Sequence, residues 1–260
     1  MPRAIKQILY GLFYLGILAA IVGVWVLVSP KPKEIATCTD SVQNQNEIGV
    51  DCGGLCDSCE LKDLRLEIVT GLMKTNIASR VAVLEVGEKS SLLVKVKNPS
   101  NNFGAPRVPY EFKITGLLEE SIGIERGELN ILPGEEKYIA EVGLNVKASN
   151  IGGVIFELGD FKFVSKEDLA DYDIKIENVE TSFPEQSVQA GGLFINNSSS
   201  ALSRVVLTAL FYTKEGDLAN VGTVLLNNLG AFRERDFIIS VPRNSLLIDI
   251  DQTEISWRMI

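Results

Sequence analysis

Val94-Lys95-Val96-Lys97-Asn98-Pro99-Ser100 alternates apolar and charged residues and then breaks at an Asn-Pro pair. Successive side chains of a strand point to opposite faces, so this stretch reads as a half-buried strand running into a turn. The signature recurs along the chain. Leu64, Leu66 and Ile68 alternate with Arg65 and Glu67, and Tyr138, Ala140, Val142 and Leu144 alternate with Lys137 and Glu141. Turn signals stand between such runs at Leu132-Pro133-Gly134 and Gly152-Gly153. Short alternating runs with regular turn signals predict β-sandwich architecture.

The second half of this region echoes the first. Val96-Lys97-Asn98-Pro99-Ser100 aligns with Ile195-Asn196-Asn197-Ser198-Ser199, and an aromatic residue follows each at the same distance, Phe112 and Phe211. Leu64-Arg65-Leu66-Glu67 aligns with Ile174-Lys175-Ile176-Glu177, and the run ending at Val146 aligns with the one ending at Val241. A repeat of about 100 residues is the size of one sandwich. The chain is therefore expected to carry two tandem sandwiches, 61–165 and 172–260. The acidic stretch Ser165-Lys166-Glu167-Asp168-Leu169-Ala170-Asp171 is the expected hinge, with room for one helical turn. Phe112, Tyr138 and Phe211 fall on core positions, and Trp257 reads as a core or edge-covering aromatic.

Residues 8–28, ILYGLFYLGILAAIVGVWVLV, contain no charge. At 1.5 Å per residue such a helix spans a hydrocarbon core of about 30 Å. A cleaved signal peptide has a shorter apolar region of about 7–15 residues. A lipoprotein signal ending at Cys38 is separated from the apolar run by Pro30-Lys31-Pro32-Lys33-Glu34. The expectation is an uncleaved transmembrane helix at 8–28, with 1–7 in the cytoplasm and 29–37 as a linker. Arg3 and Lys6 on one side face Lys31 and Lys33 on the other, so flanking charge does not set the orientation.

All four cysteines, Cys38, Cys52, Cys56 and Cys59, lie in one short module at 38–60. A segment this short cannot bury a core and needs cross-links to hold a shape. Two disulfides are expected, in any of three connectivities, and they place the C-terminal region outside the cytoplasm. Zinc is the alternative, but only Cys56 and Cys59 form a CxxC pair. Asp40, Asn44, Glu47 and Asp51, on a loop punctuated by Gly49 and Gly53-Gly54, are hard oxygen ligands of the type Ca2+ takes. Equally, Asp and Asn are turn formers that bond nearby backbone amides. The spacing is not that of an EF-hand loop.

The string Cys38-Thr39-Asp40, Asn44-Gln45, Glu47, Gly49-Val50-Asp51-Cys52-Gly53-Gly54, Cys56 and Cys59 resembles a DCGG-type cysteine motif of bacterial and archaeal surface and secreted proteins. The resemblance covers residues 38–59 and implies an extracytoplasmic location and disulfide bonding, without an activity. Ser41 stands where many examples carry glycine. The 200 residues that follow resemble, in patterning, the immunoglobulin-like or fibronectin-like modules of bacterial surface proteins.

The composition excludes much. With 46% hydrophobic and 23% charged residues the chain has a globular balance, not that of a disordered one. Its net charge of −9 repels phosphate backbones, so nucleic acid is not an expected partner. There is no histidine and no cysteine outside the module, which rules out Ser-His-Asp, Cys-His and HExxH sites. No P-loop or GxGxxG follows a strand. The paired acids Glu119-Glu120 and Glu135-Glu136 point to opposite faces if extended and read as turn charges rather than a glycosidase pair.

The expected fold is mainly β, with a transmembrane helix, a disulfide-stapled module and two Ig-like sandwiches. The expected function is non-enzymatic: a single-pass, membrane-anchored structural or interaction protein, an adhesin or scaffold. It is held in the lipid bilayer by residues 8–28 and meets a protein or envelope-polymer partner through loops such as 98–108 and 196–203. The alternative is a ligand-binding accessory subunit, carbohydrate-binding or sensor, of a membrane or envelope complex. No cofactor is expected beyond the Ca2+ that Asp40, Asn44, Glu47 and Asp51 could take.

Overall fold

The alternation at 94–97 forms the end of a long strand, β3 (Lys89–Lys97), whose Val94 and Val96 enter a core as expected. The computed structural model describes residues 3–28, 38–44, 46–72, 80–243 and 246–260. The chain divides into two units, Met1–Lys62 and Asp63–Ile260.

In the first unit, α1 (Arg3–Val28) covers the expected span. Leu12, Phe13, Leu15, Leu18, Ile21 and Trp25 on it are each 63–71% exposed. The side chains described in α1 are those of residues 11–25, fewer than the roughly 20 apolar residues a crossing requires. No helix among the described residues is long and apolar enough to cross a membrane. The expected linker at 29–37 lies outside the described residues. The cysteine module follows and closes with the short α2 (Cys59–Asp63).

The second unit holds two sandwiches. In the first, β3 pairs along one edge with β1 (Glu67–Val69) and β2 (Ala82–Val86), and along the other with β6 (Glu136–Leu144). The facing sheet centres on β4 (Phe103–Gly116), flanked by β5 (Ser121–Ile131), β7 (Ile151–Leu158) and the two-residue β8 (Val164–Ser165). Leu92, Val94, Phe112, Ile131 and Ile139 fill the space between the two sheets.

The second sandwich repeats the plan with one strand fewer on each sheet. β10 (Ser187–Asn196) lies between β9 (Ile174–Ser182) and β13 (Arg233–Pro242). β11 (Leu202–Thr213) lies between β12 (Leu218–Leu229) and β14 (Ile248–Met259). Phe194, Leu207, Phe211 and Ile239 are the heart of its core. All the described strand pairings are antiparallel, so the tandem repeat holds at the level of topology: β1 and β3–β7 correspond to β9–β14.

Register refines the alignment. Asn98 and Asn196 make matching side-chain bonds, and Lys97 stands opposite Glu67 as Ile195 stands opposite Lys175, so Ile174 takes the place of Leu66 rather than Leu64. A two-residue slip keeps the same face inward, which is why patterning alone did not detect it. The polar stretch at 165–171 carries a 3-10 turn, Lys166–Asp168, and is tied back to the first sandwich: Lys166 donates its N–H to the carbonyl of Asn102.

Candidate functional site

Two places in the molecule concentrate chemistry that sequence patterning does not explain as ordinary core: the cysteine module and the join between the sandwiches.

In the module, the disulfides are Cys38–Cys56 and Cys52–Cys59, which selects one of the three connectivities. Closing loops with sequence separations of 18 and 7 restricts the unfolded chain by about 3 and 2 kcal/mol on loop-entropy grounds. Inside this frame the acids face the backbone. The Asp51 carboxylate accepts the N–H groups of Asp40 and Ser41 at 2.9 and 3.0 Å. Glu47, buried, accepts those of Asn44 and Asp51 at 3.1 and 3.2 Å. Asp40 accepts the Val42 N–H and the Asn44 side-chain amide.

The four residues considered for Ca2+ therefore sit within one loop: the carboxylates of Asp40, Glu47 and Asp51 accept amides of that loop, and Asn44 donates its side-chain amide to Asp40. Among the described residues, the three acidic or sulfur atoms that come within 4.8 Å of one another are those of Cys38, Glu47 and Cys56, and both of these sulfurs are committed to a disulfide. Ser41 has φ +61°, the left-handed conformation that glycine adopts freely. Ser41 thus stands at a position whose backbone geometry is the one a glycine would supply.

The join between sandwiches is apolar. Ala82, Leu84, Leu93, Tyr138 and Ala140 of the first pack with Leu210, Leu218 and Val221 of the second. This corrects the expected alternation in β6. Ile139 enters the sandwich core, while Tyr138 and Ala140 face the neighbouring sandwich, so the strand is buried on both sides. Leu93 and Leu210, both fully buried, lie on what would be the solvent faces of isolated sandwiches. The signal for them was in the sequence: Leu92-Leu93-Val94 and Val205-Val206-Leu207 through Leu210-Phe211 are nearly unbroken apolar runs, as strands buried on both faces show.

Polar groups rim this contact. Tyr138 and Tyr212 both donate to Glu254 Oε2 at 3.4 Å. Arg258, buried, donates to the Glu128 carbonyl at 3.1 Å and lies 5.6 Å from the Tyr110 ring centre. Lys137 Nζ stands 3.7 Å from the Trp257 ring centre and pairs with Glu135 at 3.1 Å. Burial lowers the Lys137 pKa against the opposing pull of Glu135. Burial raises the pKa of Tyr110, Tyr212 and Glu141, and the 2.9 Å bond that Tyr110 donates to Glu141 adds to the rise of the phenol and opposes that of the carboxyl.

The remaining sequence candidates take local structural roles. Asn98 and Asn196 are fully buried, and Val108 is a core residue, so the expected contact loops at 98–108 and 196–203 begin as anchored corners. Asn196 uses both side-chain donor positions on the backbone. Glu120 accepts the Leu118 N–H and Glu135 the Leu132 N–H. Trp257 packs against the second core, edge-on to Phe194.

One open groove was missed by the sequence reading. Of about 500 Å³, it crosses the outer face of β9-β10-β13 over Gly191 and Gly192, between Glu180, Gln189, Asp236 and the exposed Ile238. A glycine pair inside a strand was its sequence signal. No family model matches this chain, and no curated protein matches it.

Proposed function

We propose that the protein is a non-enzymatic, single-pass membrane protein that presents a pair of Ig-like sandwiches outside the cytoplasm as an adhesion or scaffold element. The observation that carries this reading is the pair of disulfides, Cys38–Cys56 and Cys52–Cys59, in a module that begins shortly after an uncharged apolar segment. Disulfides persist in oxidising compartments, so the module and all that follows it belong outside the cytoplasm, with residues 1–7 inside. The uncharged sequence at 8–28 and the apolar exposed surface of α1 support anchoring in lipid. The resemblance of residues 38–59 to the DCGG-type motif of surface proteins points the same way. The partner is a protein or envelope polymer met by the sandwich surfaces.

The test is intact mass and thiol alkylation of full-length protein taken from membranes without reductant. Four oxidised cysteines support the reading. Four alkylated cysteines, or co-purifying zinc, would overturn it.

The groove over Gly191 favours a second reading, a ligand-binding accessory subunit. Its polar rim of Glu180, Gln189 and Asp236 beside Ile238 and Leu193 offers hydrogen-bond acceptors and an apolar patch to a neutral saccharide. Strong glycan-array binding that Gly191→Trp abolishes would move the assignment to this reading.

A further inference from the structure

We infer that the two sandwiches act as one rigid body at a fixed mutual angle, and that the last strand, β14, is the lock. The proposal stands independently of membrane anchoring. Tandem Ig-like modules joined by a polar linker alone behave as separate bodies, because interfaces between domains are ordinarily polar and yielding. Here the linker at 165–171 is tied to the first sandwich, and the contact between sandwiches is apolar at its centre. Leu93 and Leu210, both at 0% exposure, meet in that contact. Separating the sandwiches would return these side chains, and with them Leu84, Tyr138, Leu218 and Val221, to water. Returning buried leucine side chains to water is unfavourable in proportion to the apolar area exposed. The closed arrangement therefore dominates over any hinged one.

β14 adds direction to this apolar contact. Three of its residues reach the first sandwich. Glu254 accepts from Tyr138 of β6, Trp257 receives the Lys137 ammonium on its ring face, and Arg258 donates to the Glu128 carbonyl of β5. Glu254 also accepts from Tyr212 of its own sandwich, so one carboxylate oxygen bridges the two bodies. An apolar face alone permits sliding. Three oriented polar contacts along one strand fix the angle, because each is lost on a small rotation. The consequence is a single stiff arm, in which a load or ligand on the second sandwich is held at a set distance from the first.

The test is pulsed electron–electron resonance on full-length protein in detergent, with spin labels at Asp160→Cys and Lys214→Cys. Both positions are exposed, and the disulfide-bonded cysteines do not take the label. The expected result is one narrow distance peak. In the Glu254→Ala/Arg258→Ala variant the peak is expected to broaden or split while the far-ultraviolet circular dichroism is unchanged. A broad or multiple distribution in the unmodified arm would overturn rigidity. A peak that stays narrow in the double variant would overturn the role of β14.

Discussion

Asn98 and Asn196 occupy the same corner of the two sandwiches. Asn98 donates to the carbonyls of Phe103 and Leu132 and accepts the Ser100 N–H; Asn196 donates to the carbonyls of Ser200 and Gly230 and accepts the Ser198 N–H. The second acceptor lies 34 residues on in each case. The structural equivalence is thus Asn98 with Asn196 and Ser100 with Ser198, one residue away from the alignment of the two sequence stretches. A fully buried amide that satisfies three backbone groups is costly to remove, since each orphaned group costs about 1–3 kcal/mol. Asn98→Ala and Asn196→Ala are each expected to destabilise the second unit by about 2–4 kcal/mol. Denaturant unfolding followed by circular dichroism measures this, and a loss below about 0.5 kcal/mol, the scale of an ordinary surface substitution, would show that the corner is dispensable.

Ser41 pays for its left-handed backbone at +61° without the freedom of glycine. Ser41→Gly relieves that conformation and keeps the N–H that Asp51 accepts. The expected gain in module stability is about 0.5–1 kcal/mol. It is read as slower reduction of the disulfides by a fixed concentration of dithiothreitol. Faster reduction would contradict the assigned turn.

Asp51 holds the module together through the amides of Asp40 and Ser41. Asp51→Ala is therefore expected to speed reduction of Cys38–Cys56, whereas calcium chelation leaves the unmodified module's reduction rate unchanged. Quantitative thiol trapping gives both rates. Protection by added Ca2+ that Asp51→Ala abolishes would instead assign these oxygens to a metal.

Glu141 carries a raised pKa, caused first by its burial and opposed by the Tyr110 hydroxyl and the Arg258 charge, with Glu125 adding repulsion. The folded state then holds a proton that the unfolded state releases near its ordinary value of 4.5. Stability falls as pH rises from there through the raised folded value. Glu141→Gln keeps an acceptor for Tyr110 and removes the titration. The variant is expected to match the unmodified protein in acid and to exceed it in stability at neutral pH. Denaturant midpoints across a pH series test this, and parallel curves would refute it.

Much of this architecture was legible in sequence because it depends on local periodicity. Val94 and Val96 pointing inward, the turn after Lys97, the repeat and the clustering of cysteines all follow from side-chain alternation, proline and glycine placement, and spacing. The calcium question shows the limit. Asp40, Asn44, Glu47 and Asp51 have the right atoms for either a cation or backbone amides, and only the fold of the loop sets which groups those oxygens meet. The groove over Gly191 was legible only as a glycine pair inside a strand; its rim of Glu180, Gln189 and Asp236 depends on what the neighbouring strands present beside it.

The sequence by itself determined that the chain carries an uncharged apolar segment, a stapled module and two repeated β regions, because each is written in residues close together along the chain. Only the tertiary structure decided which cysteines pair, that Asn98 matches Asn196, and that Tyr138 and Leu93 turn toward a second sandwich instead of a solvent face or their own core. Those outcomes depend on contacts between residues far apart in sequence, such as Tyr138 with Glu254 or Glu128 with Arg258, and a period-two pattern reports that a face is buried without reporting what buries it.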